Sequence, residues 1–440
     1  MNTIIIGAGA SSLTLALMIK DTHKIYESTH VTGGHCIAKS VDGWTFDRGP
    51  HIMFSRNNEV LDFMKNSLKG NIFQSKRNNR VFANGRMVKY PFENDLNSLD
   101  IDARAECLLT YLFNSEASLA IDPKNLDEWF VGNFGKGMTD LYFRPYNEKI
   151  WNAPLSELSM SWSDRIPLPP KEDVVKGALG VSTEGYLHQL YYHYPLEGGY
   201  QAITDAWTKM LPRDSIRLNT TVTKLKKITT GVEVTTNHGI DVFDQVICTA
   251  PMNALLEMVG EVPDRVRDAV NALKVNSINV VTLGYRGEDK NKYTAVYYAD
   301  SEYLPNRVSS PSVFSPKNAP EGCFSLQAEI TFPPGNGYLS MSDSDLVQHV
   351  HNGYVASGLV EASNEPIFQD IQRFEHAYVV YTNGYEKNVE IVRQWARSLG
   401  IIVHGRFGSF DYLNVDGCVI KSQELASELN GYPTPLPSIA

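Results

Sequence analysis

The sequence has few cysteines, and their arrangement predicts neither a covalent nor a metal framework. Its 440 residues include five cysteines, which are scattered along the chain without a Cys-x-x-Cys pair. A disulfide scaffold and a zinc site both need cysteines at closer and more regular spacing. No metal is therefore expected, and a reducing cytoplasm is the expected location of the protein.

Long apolar runs and an excess of positive charge are also lacking. No uninterrupted apolar stretch reaches the roughly 18 residues of a membrane span, and the mean hydropathy is -0.25. Lysine and arginine number 40 against 50 aspartates and glutamates, so the formal charge is -10. Such a chain has no overall field that attracts nucleic acid or an anionic membrane. We expect neither partner, and any phosphate-binding site must be local.

The composition that is present is that of an ordinary globular protein. Hydrophobic residues make up 42% and charged residues 20% of the chain, which rules out a disordered, collagen-like or fibrous protein. No internal repeat or low-complexity segment is evident. A chain of this length is expected to form two to three domains, or one large protein of two domains.

The amino-terminal pattern reads as strand, glycine-rich turn, helix and strand. Apolar residues 3–6 precede the turn at residues 7–12, and a second apolar stretch follows at residues 13–19. The next strand, residues 23–26, ends at the acid Glu27. An acid about twenty residues after the first glycine suits a ribose hydroxyl of a bound dinucleotide. The same apolar residues are better explained as strand plus helix than as a secretion signal.

The glycines of this turn fit a nucleotide-binding loop. Gly7 permits the tight turn, and Gly9 lets the backbone approach a pyrophosphate at the start of a helix. Ser12 occupies the position where a third glycine is usual, but serine is still small enough for close packing. The alternative interpretation is a glycine-rich turn of the kind found in any α/β protein. The flanking strands and the acid favour the nucleotide-binding loop over this alternative.

A second glycine pair, Gly33-Gly34, follows soon after Glu27, and then comes the segment Asp47-Arg48-Gly49-Pro50-His51. This order resembles FAD proteins of the glutathione-reductase type, in the branch that holds amine oxidases, protoporphyrinogen oxidases and UDP-galactopyranose mutases. FAD is thus favoured over NAD. Without this context, the glycine pair would be a plain turn and His51 a structural histidine.

Three further segments make the resemblance closest to the UDP-galactopyranose mutases. They are Tyr90-Pro91-Phe92, the block from Arg144 to Pro154 with the order Arg-Pro-Tyr-Asn-Glu-Lys-Ile-Trp, and residues 405–412. Glu93 stands where the relatives often carry an amide, which puts the identity of the nucleotide in doubt. The resemblance therefore implies an α/β fold: a Rossmann-like FAD-binding domain with a helical insertion and a mixed β-sheet substrate domain.

The resemblance also implies roles for individual residues. Those implied to be catalytic are His51, Arg165 and Arg307. Those implied to bind substrate are Tyr90, Phe92, Asn147, Trp151, Tyr297, Tyr378 and Tyr412. Those implied to bind FAD are Gly7, Gly9, Ser12, Glu27, Gly33, Gly34, Val222 (through its backbone), Arg406 and Asp416.

Several of these residues have a simpler interpretation. An arginine such as Arg307 is most often a solvated surface residue. Tyr378 and Tyr412 are as well explained as core tyrosines, because the chain contains 22 tyrosines. The physical case for the arginines is that a planar guanidinium forms charge-assisted and often bidentate bonds with phosphate.

The expected domains follow from the same resemblance. The FAD-binding domain is expected to be discontinuous, over residues 1–60, 194–260 and 400–440. Residues 61–193 are expected to form a mainly helical insertion, and residues 261–399 a substrate domain whose alternating pattern predicts a sheet. A cleft between the insertions is the expected substrate site. The last helix is predicted to begin at about Ser422.

Three functions are compatible with these observations. The first is a mutase that interconverts the pyranose and furanose forms of a UDP-hexose through an adduct with reduced FAD, in cell-surface polysaccharide biosynthesis. NAD(P)H is a candidate reductant, without a visible motif of its own. The second is an oxidoreductase of the amine oxidase or protoporphyrinogen oxidase type. The third is a flavin-binding module without chemistry. The oligomeric state is not indicated.

Overall fold

The computed structural model describes residues 1–181, 183, 190–334 and 341–439. Residues 182 and 184–189 of the expected helical insertion, residues 335–340 of the expected substrate domain and residue 440 lie outside the described residues.

The strands fall into one parallel sheet, one mixed sheet and three small antiparallel groups. In chain order they are β1 Asn2–Ile6, β2 Thr22–Tyr26, β3 Ala38–Val41, β4 Trp44–Asp47, β5 Phe73–Lys76, β6 Asn79–Ala83, β7 Arg86–Lys89, β8 Tyr191–Tyr194, β9 Ile216–Arg217, β10 Val222–Ile228, β11 Gly231–Thr236, β12 Gly239–Phe243, β13 Gln245–Cys248, β14 Lys274–Arg286, β15 Ala295–Tyr298, β16 Arg307–Ser309, β17 Cys323–Phe332, β18 Phe368–Val380 and β19 Ile401–Val403.

The helices pack against these sheets or against one another. In chain order they are α1 Ala10–Ala16, α2 Asn58–Ser67, α3 Ile101–Leu112, α4 Leu126–Met138, α5 Arg144–Trp151, α6 Lys171–Ala178, α7 Gln201–Met210, α8 Met252–Val259, α9 Asp264–Asn271, α10 Pro311–Phe314, α11 Asp343–Ala356, α12 Tyr385–Ser398, α13 Gly405–Gly408 and α14 Val415–Asn430.

The parallel sheet has the strand order β19-β13-β1-β2-β9. Its central strand β1 is a run of isoleucines whose side chains are buried on both faces, as is typical of parallel sheets covered by helices. All five strands come from the three segments expected to form the FAD-binding domain. The predicted strand-turn-helix-strand order at the amino terminus is therefore observed, with α1 ending at Ala16.

The mixed sheet has the order β18-β14-β17-β16-β15-β6-β7. Its neighbours are antiparallel except for β15 and β6, which run parallel. The strands β6 and β7 belong to the segment expected to be helical, so that segment contributes two strands to this sheet. The described helices of the same segment, α3 to α6, enclose an aromatic core in which Phe92, Phe130 and Phe143 are buried.

The observed architecture is the α/β fold expected from the sequence, with a Rossmann-like sheet, a helical region and a mixed sheet. How the chain divides into independent domains stays a prediction. None of the helices within the described ranges has both the length and the apolar character needed to cross a membrane.

The last helix begins earlier than predicted. The sequence analysis placed its start near Ser422, but α14 begins at Val415. Val415 and Cys418 are buried and lie one turn apart, and both line the large cavity described below. Asp416 lies in the first turn of α14, where a negative charge is favourable for the helix dipole.

Candidate active site

A cavity of about 920 Å³ lies where the parallel sheet faces the mixed sheet. Most of the predicted site residues line this cavity. They are Gly7, Gly9, Ser12, Glu27, Gly33, Gly34, His51, Arg165, Val222, Tyr297, Arg307, Tyr378, Arg406 and Tyr412. The roles of these residues stay predictions, but the chain does bring them together.

The two glycine loops touch at one end of the cavity. The N–H of Gly33 donates to the carbonyl of Ala8 over 2.8 Å, and Gly9 and Gly33 form an isolated bridge of the parallel type. Gly34 has a φ of +58°, and a Cβ on it would lie 3.2 Å from the Cα of Gly9. Side chains at these positions would therefore separate the loops or fill the space between them.

The same end of the cavity meets the physical requirements of FAD. A Cβ on Gly9 would meet no atom of the described chain within 4 Å, so this glycine opens directly onto the cavity. Gly9 also precedes α1, and no side chain of the described residues caps this helix. The backbone N–H groups of its first turn can therefore donate to a pyrophosphate. Glu27 lies at the end of β2, where one carboxylate oxygen accepts from the N–H of Ala8 over 2.8 Å.

Ser12 is compatible with this loop although it replaces the usual glycine. Its side chain is fully buried, and its hydroxyl lies 3.1 Å from the hydroxyl of Thr249. Thr249 in turn donates to the carbonyl of Ile6 over 2.7 Å. The serine therefore ties the start of α1 to the neighbouring strand ends.

Two histidines line the cavity as neutral rings. His51 lies in the loop after β4, with Nδ1 2.9 Å from the carbonyl of Gly49. Burial lowers the pKa of His51 to about 4, and that of His35 to about 3. The charge of Arg406 also lowers both pKa values. Neither ring carries a positive charge at neutral pH, so both can offer a lone pair.

The predicted pair of Tyr297 and Arg307 lies on adjacent strands. The two residues are register partners of β15 and β16, and Arg307 is also the register partner of Glu329 on β17. Arg307 forms an ion pair with Glu329 through its Nε. Tyr378 completes the group, because its hydroxyl donates to Glu329 over 3.2 Å.

Burial and the neighbouring groups have opposite effects on the pKa of Arg307. Burial alone would lower the pKa of Arg307, but the Glu329 carboxylate and the nearby tyrosine hydroxyls raise it well above its ordinary value. Arg307 is therefore a permanent cation in the cavity, although Glu329 satisfies part of its charge. The carboxylate of Glu329 is itself only 2% exposed.

Arg165 and Arg406 surround Tyr412. Nη2 of Arg165 donates to the carbonyl of Tyr412 over 2.5 Å, and its guanidinium lies 5.1 Å from the centre of the Tyr412 ring. The guanidinium of Arg406 lies 4.3 Å from the same ring centre and donates to the carbonyl of Leu413. Tyr378 stacks on Tyr412 with ring centres 5.8 Å apart. Backbone carbonyls thus orient both guanidinium groups. Among the described contacts, neither group forms an ion pair with a carboxylate.

Four residues expected to bind substrate lie behind the cavity wall instead of lining it. Phe92 is fully buried and stacks on Tyr142 with ring centres 4.8 Å apart. Asn147 is occupied within α5, where its Nδ2 donates to the carbonyl of Phe143. Trp151 packs edge-on against Tyr378 and Tyr412. These side chains do not line the cavity, and their contact with a ligand stays a prediction.

Tyr90 is the fourth of these residues, and its ring lies 5.5 Å from that of Tyr297. Glu93 is also buried outside the cavity lining, in a short 3-10 helix. Asp416, expected to contact FAD, is absent from the described lining, although its neighbour Val415 belongs to it. Their predicted roles in binding stay predictions.

Four charged residues of the cavity were missed by the sequence analysis as site residues: Arg48, Arg77, Glu257 and Glu329. Arg48 lies inside the segment that was recognised, so its position could have indicated it. Arg77 and Glu329 carry no local signal, because they lie in or next to strands whose neighbours are distant in sequence. Their place in the cavity depends on the strand order of the mixed sheet.

Comparison with known proteins agrees with this geometry. A crystal structure of reduced UDP-galactopyranose mutase superposes with a TM-score of 0.90 at 25% identity, covering 98% of this chain and 94% of that chain. The mitochondrial protoporphyrinogen oxidase of Nicotiana tabacum is 27% identical over 293 residues, which are 56% of this chain and 57% of the relative. The UDP-galactopyranose mutase of Mycoplasma pneumoniae is 24% identical over 229 residues, 49% of this chain and 54% of the relative.

The chain thus spans somewhat more than half the length of the curated relatives that it matches. A family model described as flavin containing amine oxidoreductase matches residues 17–385, which is most of the chain. The expected resemblance is confirmed at the level of fold and flavin chemistry. The chain belongs to the flavin containing amine oxidoreductase family.

Proposed function

We propose that the protein is a FAD-dependent sugar-nucleotide mutase that interconverts the pyranose and furanose forms of a UDP-hexose. The observation that carries this proposal is the charge of the cavity. Five arginines and three glutamates line it, with no lysine or aspartate among the described lining residues. A chain with a formal charge of -10 thus concentrates positive charge where a ligand would bind. The diphosphate of FAD would offset part of this charge, and the arginines away from the glycine loops suit the diphosphate of a sugar nucleotide.

The arginines suit the departure of a diphosphate from a sugar. Arg165 and Arg307 would bind its oxygens through charge-assisted hydrogen bonds, which strengthen as negative charge develops on the leaving group. The hydroxyls of Tyr378 and Tyr412 would add uncharged donors beside them. Burial raises the pKa of Tyr378 well above its ordinary value, as does the charge of Glu329, so its phenol stays protonated. Its proton, which bonds Glu329 in this structure, would turn from Glu329 to a ligand oxygen.

His51 would act on the sugar or on the flavin as an uncharged group. Its lowered pKa keeps the ring neutral at pH 7, so it can accept a hydrogen bond from a ring hydroxyl. FAD, when bound and reduced, would supply the nucleophile for this isomerisation. The protein would supply orientation, exclusion of water and the electrostatic contacts described above.

A single experiment separates this function from a binding role. The purified holoenzyme is reduced with dithionite and incubated with UDP-galactopyranose, UDP-galactofuranose and UDP-N-acetylhexosamines, and the ring isomers are separated by chromatography. We expect the reduced protein to isomerise the substrate and the oxidised protein not to do so. We also expect the Arg165→Met variant to lose this activity. An exposed arginine, Arg286, gives the matched control Arg286→Met. The proposal fails if no substrate turns over in the reduced state.

The need for a reduced flavin also makes NAD(P)H a candidate reductant. Anaerobic mixing of the oxidised holoenzyme with NADH or NADPH would then bleach the flavin absorbance and support turnover without dithionite. Persistence of the oxidised spectrum with both nucleotides would require a different reductant.

An oxidoreductase remains the second candidate because the Nicotiana tabacum relative is a protoporphyrinogen oxidase. An arginine-rich cavity is also compatible with an anionic ring substrate. For this function, anaerobic addition of protoporphyrinogen to the oxidised holoenzyme would reduce the flavin at a rate matching product formation. A mutase would leave the flavin oxidised under the same conditions.

A further inference from the structure

Arg77 lies in the cavity but belongs to none of the motifs that identified the site. It falls between β5 and β6, and its guanidinium lies 4.3 Å from the ring centre of Phe54. Phe54 follows the His51 loop and also lines the cavity. The arginine is thus held by an aromatic face at the side of the cavity next to His51.

Arg77 has no counter-ion in the described part of the chain. Its Nε and Nη2 are buried without a hydrogen-bond partner there. Burial lowers the pKa of Arg77, and the groups that further influence it are three tyrosine hydroxyls and the cation of Arg307. By contrast, Arg307 forms an ion pair with buried Glu329. A buried cation without a partner is costly, unless a ligand supplies the missing charge.

Two more buried polar atoms of cavity-lining residues lack partners among the described residues. They are Oδ1 of Asn79 and Oγ of Ser309, and both residues line the cavity. Ala295 on β15 is the register partner of Asn79 on one side and of Ser309 on the other. The small side chain of Ala295 therefore leaves a polar depression between Asn79 and Ser309.

This depression lies two residues along the strands from a row of register partners on the mixed sheet. The row runs from Glu329 through Arg307 to Tyr297, across β17, β16 and β15. The next strand is β6, which begins with Asn79, and Nδ2 of Asn79 donates to the Tyr297 hydroxyl over 3.4 Å. Two strand spacings, about 10 Å, separate β16 from β6. A hexose with a hydrogen bond at each end is of that size.

We propose that Arg77 forms an anion subsite for a carboxylate on the sugar, with Asn79 and Ser309 beside the sugar ring, and that the substrate is a nucleoside-diphosphate hexuronate. This inference rests on the proposed function, because it assigns the diphosphate to Arg165 and Arg307. The edge of a guanidinium that carries Nε and Nη2 matches the two oxygens of a carboxylate. Asn79 would accept from a neighbouring sugar hydroxyl, and Ser309, two strands away, would donate to a group at the other end of the sugar.

The test is a binding titration of the oxidised holoenzyme, followed by the change in flavin absorbance. The ligands are UDP, UDP-galactose, UDP-galacturonate and the uncharged C6 amide of UDP-galacturonate. The expected result is that UDP-galacturonate binds about tenfold or more tightly than UDP-galactose and the amide, as a charge-assisted hydrogen bond predicts. Equal affinities for these three ligands would overturn the inference while UDP binding still supports the nucleotide site.

The variants Arg77→Met and Arg77→Lys assign the preference to this residue. Arg77→Met is expected to abolish the preference for the uronate while UDP affinity changes less than about twofold. Arg77→Lys keeps the charge without the planar edge, so it should retain part of the preference. A preference that survives in Arg77→Met contradicts the inference. If that variant does not retain flavin, the comparison of acid and amide in the unmodified protein decides alone.

The binding experiment gives a different result if the proposed function is wrong than if only the anion subsite is wrong. If UDP itself causes no spectral change and does not compete with any of the sugars, the diphosphate assignment is wrong, and this inference falls with it. If UDP binds but the carboxylate adds nothing, only the anion subsite is wrong.

Discussion

Arg307 and Glu329 are register partners of two adjacent strands and form an ion pair inside the cavity. The carboxylate therefore competes with any anionic ligand for the same guanidinium. We expect Glu329→Gln to lower the free energy of unfolding by about 3 kcal/mol, since it leaves a buried cation without its partner. We also expect it to raise the affinity for UDP several-fold, because Arg307 becomes available.

Chemical denaturation and a UDP titration measure the two effects. The double variant Arg307→Met with Glu329→Gln is the control, because it removes both charges and should recover most of the lost stability. A double variant no more stable than Glu329→Gln would show that the ion pair does not explain the loss.

The contact between the glycine loops gives a second prediction. Gly34→Ala places a Cβ 3.2 Å from the Cα of Gly9, so we expect the purified variant to lose most of its flavin. Gly85→Ala is the matched control, because Gly85 has a similar φ of +65° and a Cβ there meets no described atom within 4 Å. Both variants should lose about 1 kcal/mol of stability from the left-handed backbone. Equal flavin content in the two variants would contradict the prediction.

Glu27 provides a third prediction, about cofactor affinity. If its carboxylate binds the ribose of FAD, Glu27→Ala should weaken FAD binding by roughly tenfold, the loss of a charge-assisted hydrogen bond. Dialysis of the holoenzyme followed by flavin fluorescence measures this affinity. Glu261→Ala removes an exposed acid outside the cavity lining and should retain the flavin. Unchanged affinity in Glu27→Ala would mean that Glu27 only stabilises the loop.

Asp47 predicts a dependence of stability on pH. Burial raises the pKa of Asp47 to about 7, although hydrogen bonds from the Tyr200 N–H and the Tyr194 hydroxyl oppose this shift. An unfolded aspartate titrates near 3.9, so the folded state binds more protons between about pH 4 and pH 7. The contribution of Asp47 to stability therefore falls as the pH rises through this interval.

Asp47→Asn removes that titration. The stability of the variant relative to the unmodified protein should rise between about pH 4 and pH 7, by up to about 1.4 kcal/mol per pH unit. Urea denaturation across this pH range is the measurement, and Asp62→Asn, on the surface of α2, is the control. A stability difference that is independent of pH would contradict the assignment.

Local patterns predicted the amino-terminal part of the fold well. The strand, turn and helix around Gly7 and Gly9 follow from apolar periodicity and from the backbone freedom of glycine, which are both visible in the sequence. The start of α14 was not predicted correctly, because the burial of Val415 depends on a cavity formed by distant segments.

The cavity residues that were missed have a common physical cause. Arg77 belongs to the site because β6 pairs with β15, more than 200 positions later in the chain. Glu329 belongs to it because β17 pairs with β16. No local periodicity encodes either pairing. Phe92 is the reverse case: its motif suggested a ligand contact, the folded chain packs it in an aromatic core, and its role at the site stays a prediction.

The distribution of the cavity lining along the chain has a consequence for synthesis of the protein. Gly34 lies near the beginning of the chain, whereas Gly405, Arg406 and Tyr412 line the same cavity from near its end. At 5–20 residues per second, a ribosome needs roughly 20 to 75 s to travel between these positions. Until residues 401–403 are synthesised, the parallel sheet that contains β1 lacks its edge strand β19. Flavin capture is therefore expected to be a late event, and nascent chains that wait for it will depend on chaperones.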